Sequence, residues 1–224
     1  MYNDFKKFAV SNGLSSNTLH DYRKNTNSII SPTIIEERQL NAVTMDVFSR
    51  LMADRIIFLG TGIDSDVSNI VTSQLLYLNS IDPESDIKLF INSPGGEIYS
   101  GLAIFDAMNF VDPDVSTYAM GIAASMASIL LSSGTKGKRY ALPNSKVLIH
   151  QPMGGLPSGT QESDFRIAYE EINKCKKTLY DILAGNTGQP YETIERDADR
   201  DHWFTSSEAM EYGIIDEVIK RKNK

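Results

Sequence analysis

The chain has 224 residues, 41% hydrophobic and 23% charged, a balance that allows one sizeable buried core or two small ones. A formal net charge of −7 argues against nucleic acid as the main partner, and no run reaches the roughly 18 apolar residues that crossing a bilayer needs. The lone Cys175 excludes an intrachain disulfide and a cysteine-based zinc site, and with only Phe8-Ala9-Val10 as an apolar run near the N-terminus the expectation is a reduced, cytoplasmic protein.

Residues 1–29 are rich in Ser, Asn, Thr and Lys without apolar periodicity, and are expected to form a flexible leader or propeptide ahead of a single domain over residues 30–224. Ile30-Ser31-Pro32-Thr33-Ile34-Ile35 is β-prone, and the globular part is expected to begin near Thr44. Thr44-Met45-Asp46 is predicted to open a helix with Val47, Phe48, Leu51 and Met52 on one side. Strands are predicted at residues 55–60, 87–91, 115–119, 139–141 and 146–150. Helices are predicted at residues 64–79, with Val67, Ile70, Val71 and Leu75 as the apolar stripe, through residues 102–108, and from Ser125 to Leu131. Strands alternating with helices predict an α/β fold with a largely parallel sheet.

A glycine-rich connection, residues 153–159, leads to a long polar helix at residues 160–183. Its narrow stripe of Phe165, Ala168, Ile172, Leu179 and Leu183 fits packing against another subunit, or else an ordinary surface helix. Cys175 sits on this helix with no histidine nearby in sequence, which disfavours it as a nucleophile.

Four segments carry chemistry. In Gly121-Ile122-Ala123-Ala124-Ser125-Met126-Ala127-Ser128 a strand gives way to a helix at Ser125 among small residues. Exposure, close approach and unsatisfied helix amides suit a nucleophilic serine, while an ordinary N-cap is the plainer alternative. In Ser93-Pro94-Gly95-Gly96-Glu97, paired glycines between strand and helix free backbone amides to face a ligand, or simply make a tight turn; no G-x-G-x-x-G is present. His150 ends an apolar strand and is a candidate base, or a core histidine satisfied by hydrogen bonds; no second His or Cys stands at metal-ligand spacing. The run from Glu195 to Asp201 resembles a solvated face, yet it leads into Trp203-Phe204, which are expected to be buried. That sets Asp201 at a border where a carboxylate can orient an imidazole.

Together SPGGEIYSGLAIFD, GIAASMASILLSSGTKGKRYALPN, VLIHQPMGG and RDADRD with SSEAMEYGIID resemble the proteolytic subunits of the Clp protease, over about residues 31–219 and in family order. The resemblance implies a ClpP/crotonase-type fold, a spiral of β-β-α units with a protruding strand-helix handle, here residues 151–187. It implies Ser125 as nucleophile, His150 as general base and Asp201 as its orienting acid, with Asp199 the competing choice. It implies an oxyanion hole from the amides of Gly96 and Met126, substrate-strand pairing along Gln151, Pro152 and Met153, and ring–ring contacts from Asp199 and Arg200. It implies two stacked heptameric rings that take polypeptides from a hexameric AAA+ ATPase, which uses the ATP; this subunit is expected to need no metal or cofactor. Leu76, Tyr77 and Phe90 match positions near the pocket for the ATPase loops, where Lys88 departs from the aromatic residue often found. Leader removal by self-cleavage is expected near Ser28–Ile29, with a permanently retained disordered tail as the alternative. The alternatives are a non-catalytic or mixed-ring paralogue, a crotonase-type CoA enzyme and a purely structural assembly protein.

Overall fold

A computed structural model describes residues 33–38, 41–155 and 158–220, so the expected leader and its cleavage point lie outside the described residues. The chain divides into two compact units at Arg50–Leu51. The first carries β1 (Thr33–Arg38) and β2 (Asn41–Asp46), which pair antiparallel. Thr44 and Met45 are thus strand residues, and not the opening of a helix. Helix α1 (Val47–Ala53) begins only after Asp46, whose carboxylate accepts the Ser49 amide at 3.0 Å.

The second unit is built on a mixed, mostly parallel seven-stranded sheet: β3 (Ile56–Leu59), β4 (Ile87–Ser93), β5 (Val115–Ala124), β6 (Arg139–Ala141), β7 (Lys146–Ile149), β8 (His202–Thr205) and β9 (Glu217–Val218). The order β3-β4-β5-β6-β9 is parallel throughout. β7 joins β5 in parallel, and β8 joins β7 antiparallel. β4 shows why these segments are strands: Ile87, Leu89 and Ile91 are fully buried while Lys88 and Asn92 are exposed. Each buried side chain contributes about 1.5–3 kcal/mol. Helix α2 (Ser65–Ile81) starts where the Asp64 carboxylate accepts the Val67 amide at 2.9 Å, a cap worth about 1 kcal/mol. It buries Ser68, Val71, Leu75 and Leu78, whereas Ile70, expected on the apolar stripe, is 57% exposed. Helix α3 (Ile98–Phe110) follows β4, and α4 (Met126–Ser132) follows β5 with every residue buried.

Helix α5 (Glu162–Thr187) divides by environment. Cys175, Leu179, Tyr180 and Leu183 are buried within this unit, so Leu179 and Leu183 of the predicted stripe pack on this chain's own core and not against another subunit; Phe165, Ile167 and Tyr169 near its start are exposed. Of the expected strand-helix handle only the helix is regular, because residues 151–155 belong to no strand. Helix α6 (Tyr191–Asp197) leads to β8, and α7 (Ser206–Tyr212) is held by a capping box between Thr205 and Glu208. Trp203, expected to be buried with Phe204, is 50% exposed; only Phe204 enters the core. Strand alternation sends neighbours to opposite faces, so the two aromatics cannot share one environment. Among the described residues no helix is long and apolar enough to cross a membrane.

Candidate active site

Parallel strands bring their C-terminal ends to one edge, and the chemistry-bearing segments converge there. The Ser93–Glu97 loop follows β4, Ser125 follows β5 and His150 follows β7. The antiparallel β8 begins at this edge, with Asp201 just before it. The ladder pairs Ile149 with His202, so continuing it by one residue sets His150 opposite Asp201.

β5 is bent into place. Between Ile91 and Ser93 its register with β4 shifts, and Gly121 there has φ 90° with the Asn92 side chain where a Cβ would sit. Such a bulge re-aims a strand end. Thr117 to Ala119 pair with β6, and Ile122 to Ala124 pair with β7. Ser125 then takes φ 56° and ψ −126°, a strained conformation that costs on the order of 1–3 kcal/mol for a side-chain-bearing residue. Its amide donates to Leu148 O at 2.9 Å, and its carbonyl accepts the Ser128 amide at 2.9 Å and the Ser128 hydroxyl at 2.7 Å. The hydroxyl does not cap α4. Ser125 Oγ instead lies 2.7 Å from His150 Nε2.

His150 Nδ1 lies 3.2 Å from Asp201 Oδ1, the ring side chain 12% exposed and the carboxylate 66%. A neutral imidazole satisfies both contacts with its proton on Nδ1, leaving Nε2 to accept from the serine hydroxyl. Asp199, the competing acid, is engaged elsewhere: Gln151 Nε2 donates to its backbone carbonyl at 2.5 Å and approaches its carboxylate at 3.4 Å.

The Gly95–Gly96 turn is dictated by space. A Cβ on Gly95 would meet Ala124 O at 2.5 Å, Ser125 Cβ at 2.8 Å and Met126 N at 2.9 Å. On Gly96 it would lie 2.0 Å from Ile63 O. Ile63 forms a parallel bridge here, its amide donating to Gly95 O and its carbonyl accepting from Glu97 N, both at 2.8 Å. That geometry turns the Gly96 amide away from Ile63. Gly96 and Met126 line the same cavity of about 90 Å³ as Ser125 and His150. Its apolar wall comes from Ile98, Ile129, Ile149, Leu179, Tyr180 and Leu183, with Gln151, Pro152 and Met153 at its rim. Burial pushes the Tyr180 phenol up to about 12, so it stays a neutral donor to Ala198 O at 3.3 Å.

The other expected residues lie apart. Leu76 and Tyr77 are exposed on α2. Phe90 points to the sheet face opposite Leu89 and Ile91 and stacks on Tyr118 at 4.5 Å, which stacks on Tyr140 at 4.9 Å. No ring contact or hydrogen bond among the described residues joins Phe90 to Leu76 or Tyr77. Asp199 and Arg200 are exposed. Cys175 is buried and its thiol contacts the Tyr99 hydroxyl at 3.5 Å. The roles of Ile63, Ser128 and the apolar wall have no local signature: each is a packing or backbone relation between distant segments.

A family model described as Clp protease matches residues 38–222. The chain is 54% identical over 223 residues to an ATP-dependent Clp protease proteolytic subunit of Porphyromonas gingivalis, covering 99% of this chain and 100% of that protein. It is 53% identical over 220 residues to one of Bacteroides fragilis and 51% identical over 220 residues to one of Bacteroides thetaiotaomicron, in each case covering 98% of this chain and 99% of the relative.

Proposed function

The chain belongs to the Clp protease family, as a serine peptidase subunit, and from that premise we propose that Ser125, His150 and Asp201 carry its hydrolytic chemistry. The observation that bears the reading is the 2.7 Å contact between Ser125 Oγ and His150 Nε2 at a helix start. Ser125 Oγ attacks the peptide carbonyl carbon as its proton passes to His150 Nε2. The carbonyl oxygen takes up the electron pair and rests on the amides of Gly96 and Met126. As the tetrahedral intermediate collapses, the C–N bond breaks and His150 protonates the leaving amine. Water, deprotonated by His150, then hydrolyses the acyl-enzyme and returns Ser125 to its hydroxyl. Asp201 holds the Nδ1–H tautomer and stabilises the imidazolium. The preorganised amides account for a large share of the rate, since one such donor is worth about 10²–10³ in kcat.

The substrate backbone lies extended along Gln151, Pro152 and Met153, adding a strand where the chain itself has none, and sets an apolar side chain in the cavity beside Ser125. This step needs no metal or cofactor in the subunit. The relatives' names describe them as ATP-dependent. Carried to this chain, the ATP is used by a hexameric AAA+ partner that docks near Leu76, Tyr77 and Phe90 and threads unfolded polypeptides into a cytoplasmic chamber. The chamber is two stacked heptameric rings, held together by the exposed start of α5 with Asp199 and Arg200. Labelling with a serine-reactive fluorophosphonate, combined with native mass spectrometry, tests the reading. Ser125→Ala is expected to lose both labelling and peptide hydrolysis and to keep the same assembly mass. Labelling retained at another serine overturns the assignment.

A further inference from the structure

The β7–β8 ladder stops at Ile149 and His202, one residue short of His150 and Asp201. Asp201 therefore lies on the stretch between α6 and β8, and few bonds hold that stretch. The Ala198 amide donates to Ile194 O at 2.8 Å, and the Tyr180 hydroxyl donates to Ala198 O at 3.3 Å. The closest to Asp201 is the bond from Gln151 Nε2 to Asp199 O at 2.5 Å, supported by the 3.4 Å approach to the Asp199 carboxylate. Gln151 thus spans from the residue beside the histidine to the residue two before the acid, closing the gap where the ladder ends.

We infer that Gln151 is a positioning residue, whose side-chain amide holds the Asp199 carbonyl so that Asp201 stays at His150 Nδ1. The inference rests on the proposed roles of Ser125, His150 and Asp201. It is distinct from pairing with substrate, which uses the backbone at this position and would survive a change of side chain. An anchor is needed here because Asp201 is 66% exposed and meets His150 at 3.2 Å, so water competes for both partners. A neutral amide also fits the task better than a cation. It donates to a carbonyl without drawing the Asp201 carboxylate from the imidazole, and it adds no charge beside a ring that must become positive during reaction.

A double-mutant cycle on the full chain tests this, reading kcat and KM on a fluorogenic peptide, with native mass and melting temperature as checks on assembly. Gln151→Met keeps length and removes the donor. It is expected to lower kcat about tenfold, the scale of one lost hydrogen bond in a preorganised site, with KM and assembly unchanged. In an Asp201→Asn background the same change is expected to cost less than about twofold, because the group it positions has already been altered. An unchanged kcat, a rise in KM alone, or a full loss repeated in the Asp201→Asn background overturns the role of Gln151 while leaving the triad reading in place. An Asp201→Asn protein with full kcat overturns the triad reading itself. If Gln151→Met fails to assemble, Gln151→Leu removes the donor without adding charge and is judged by the same cycle.

Discussion

Replacing Gly96 by alanine tests whether the turn beside Ser125 is held to its geometry by Ile63. The added Cβ would lie 2.0 Å from Ile63 O and 2.7 Å from Ile63 N, both backbone atoms that cannot rotate away. Relief requires the two segments to part, which breaks the 2.8 Å bonds from Ile63 N to Gly95 O and from Glu97 N to Ile63 O. Two lost backbone bonds and the residual strain together cost about 3–5 kcal/mol, and the melting temperature is expected to fall by about 10 °C. The Gly96 amide moves with its backbone, so kcat for a short peptide is expected to fall about 10²–10³-fold in protein that is still folded and assembled. Gly185→Ala is the control. It lies in α5 with nothing within 4 Å of its Cβ position, and is expected to stabilise by up to about 1 kcal/mol with kcat unchanged. A Gly96→Ala protein that melts with wild type and keeps kcat within twofold refutes the argument.

Burial pushes the Asp216 carboxyl up, but hydrogen bonds from the Arg139 side chain and amide and from the Gly137 amide outweigh it and hold the group below its usual range. A lowered folded value gives stability that is present above the unfolded value of about 3.9 and is lost as pH falls through the folded value. Urea titrations below about pH 4 are thus expected to show a loss that Asp216→Asn flattens. At neutral pH that variant is expected to lose about 3–5 kcal/mol, since the buried Arg139 keeps its charge without its partner; an unaltered acid limb counts against this. Tyr77→Ala is expected to slow ATPase-driven degradation of a folded substrate at least several-fold and to leave short-peptide hydrolysis unchanged. Equal effects on both rates contradict docking there. Intact-mass measurement is expected to find wild type starting near Ile29 and Ser125→Ala retaining the leader; identical N-termini defeat self-cleavage.

The alternation of strands and helices was legible because apolar runs such as Ile87 to Ile91 are short and end in turn residues. Ser125 and His150 are candidates from their strand-ending places, beside the plainer readings of an N-cap and a core histidine, and the family resemblance singles them out; in the structure the serine hydroxyl caps no helix and lies 2.7 Å from the imidazole. Thr44-Met45 differs from its predicted helix for a physical reason: one β-branched residue beside a methionine suits either helix or strand, and pairing with β1 decides it. Ile70 and Val71 are adjacent apolar residues on α2, and periodicity alone does not say which one faces the sheet. The choice between Asp199 and Asp201 is open in the sequence because both sit in one acidic run; the β7–β8 register and the 3.2 Å contact to His150 Nδ1 favour Asp201. The Gly96–Ile63 bridge and the wall supplied by Leu179, Tyr180 and Leu183 join segments far apart in sequence, where no local pattern reports them.

The division of β5 between two partners has a mechanical consequence. Its first half belongs to the wide parallel sheet through β6, and its second half belongs to a narrow branch of β7 and β8. Ser125, His150 and Asp201 all sit at the tip of that branch. Opening β8 from β7 would part Asp201 from His150 while leaving the pairings of β3, β4 and β6 in place. Amide hydrogens of β7 and β8 are then expected to exchange with solvent together, and sooner than those of β4. A strand added at residues 151–153 is expected to lengthen the branch and slow that exchange, which would link what occupies the cleft to how firmly Asp201 is held at His150.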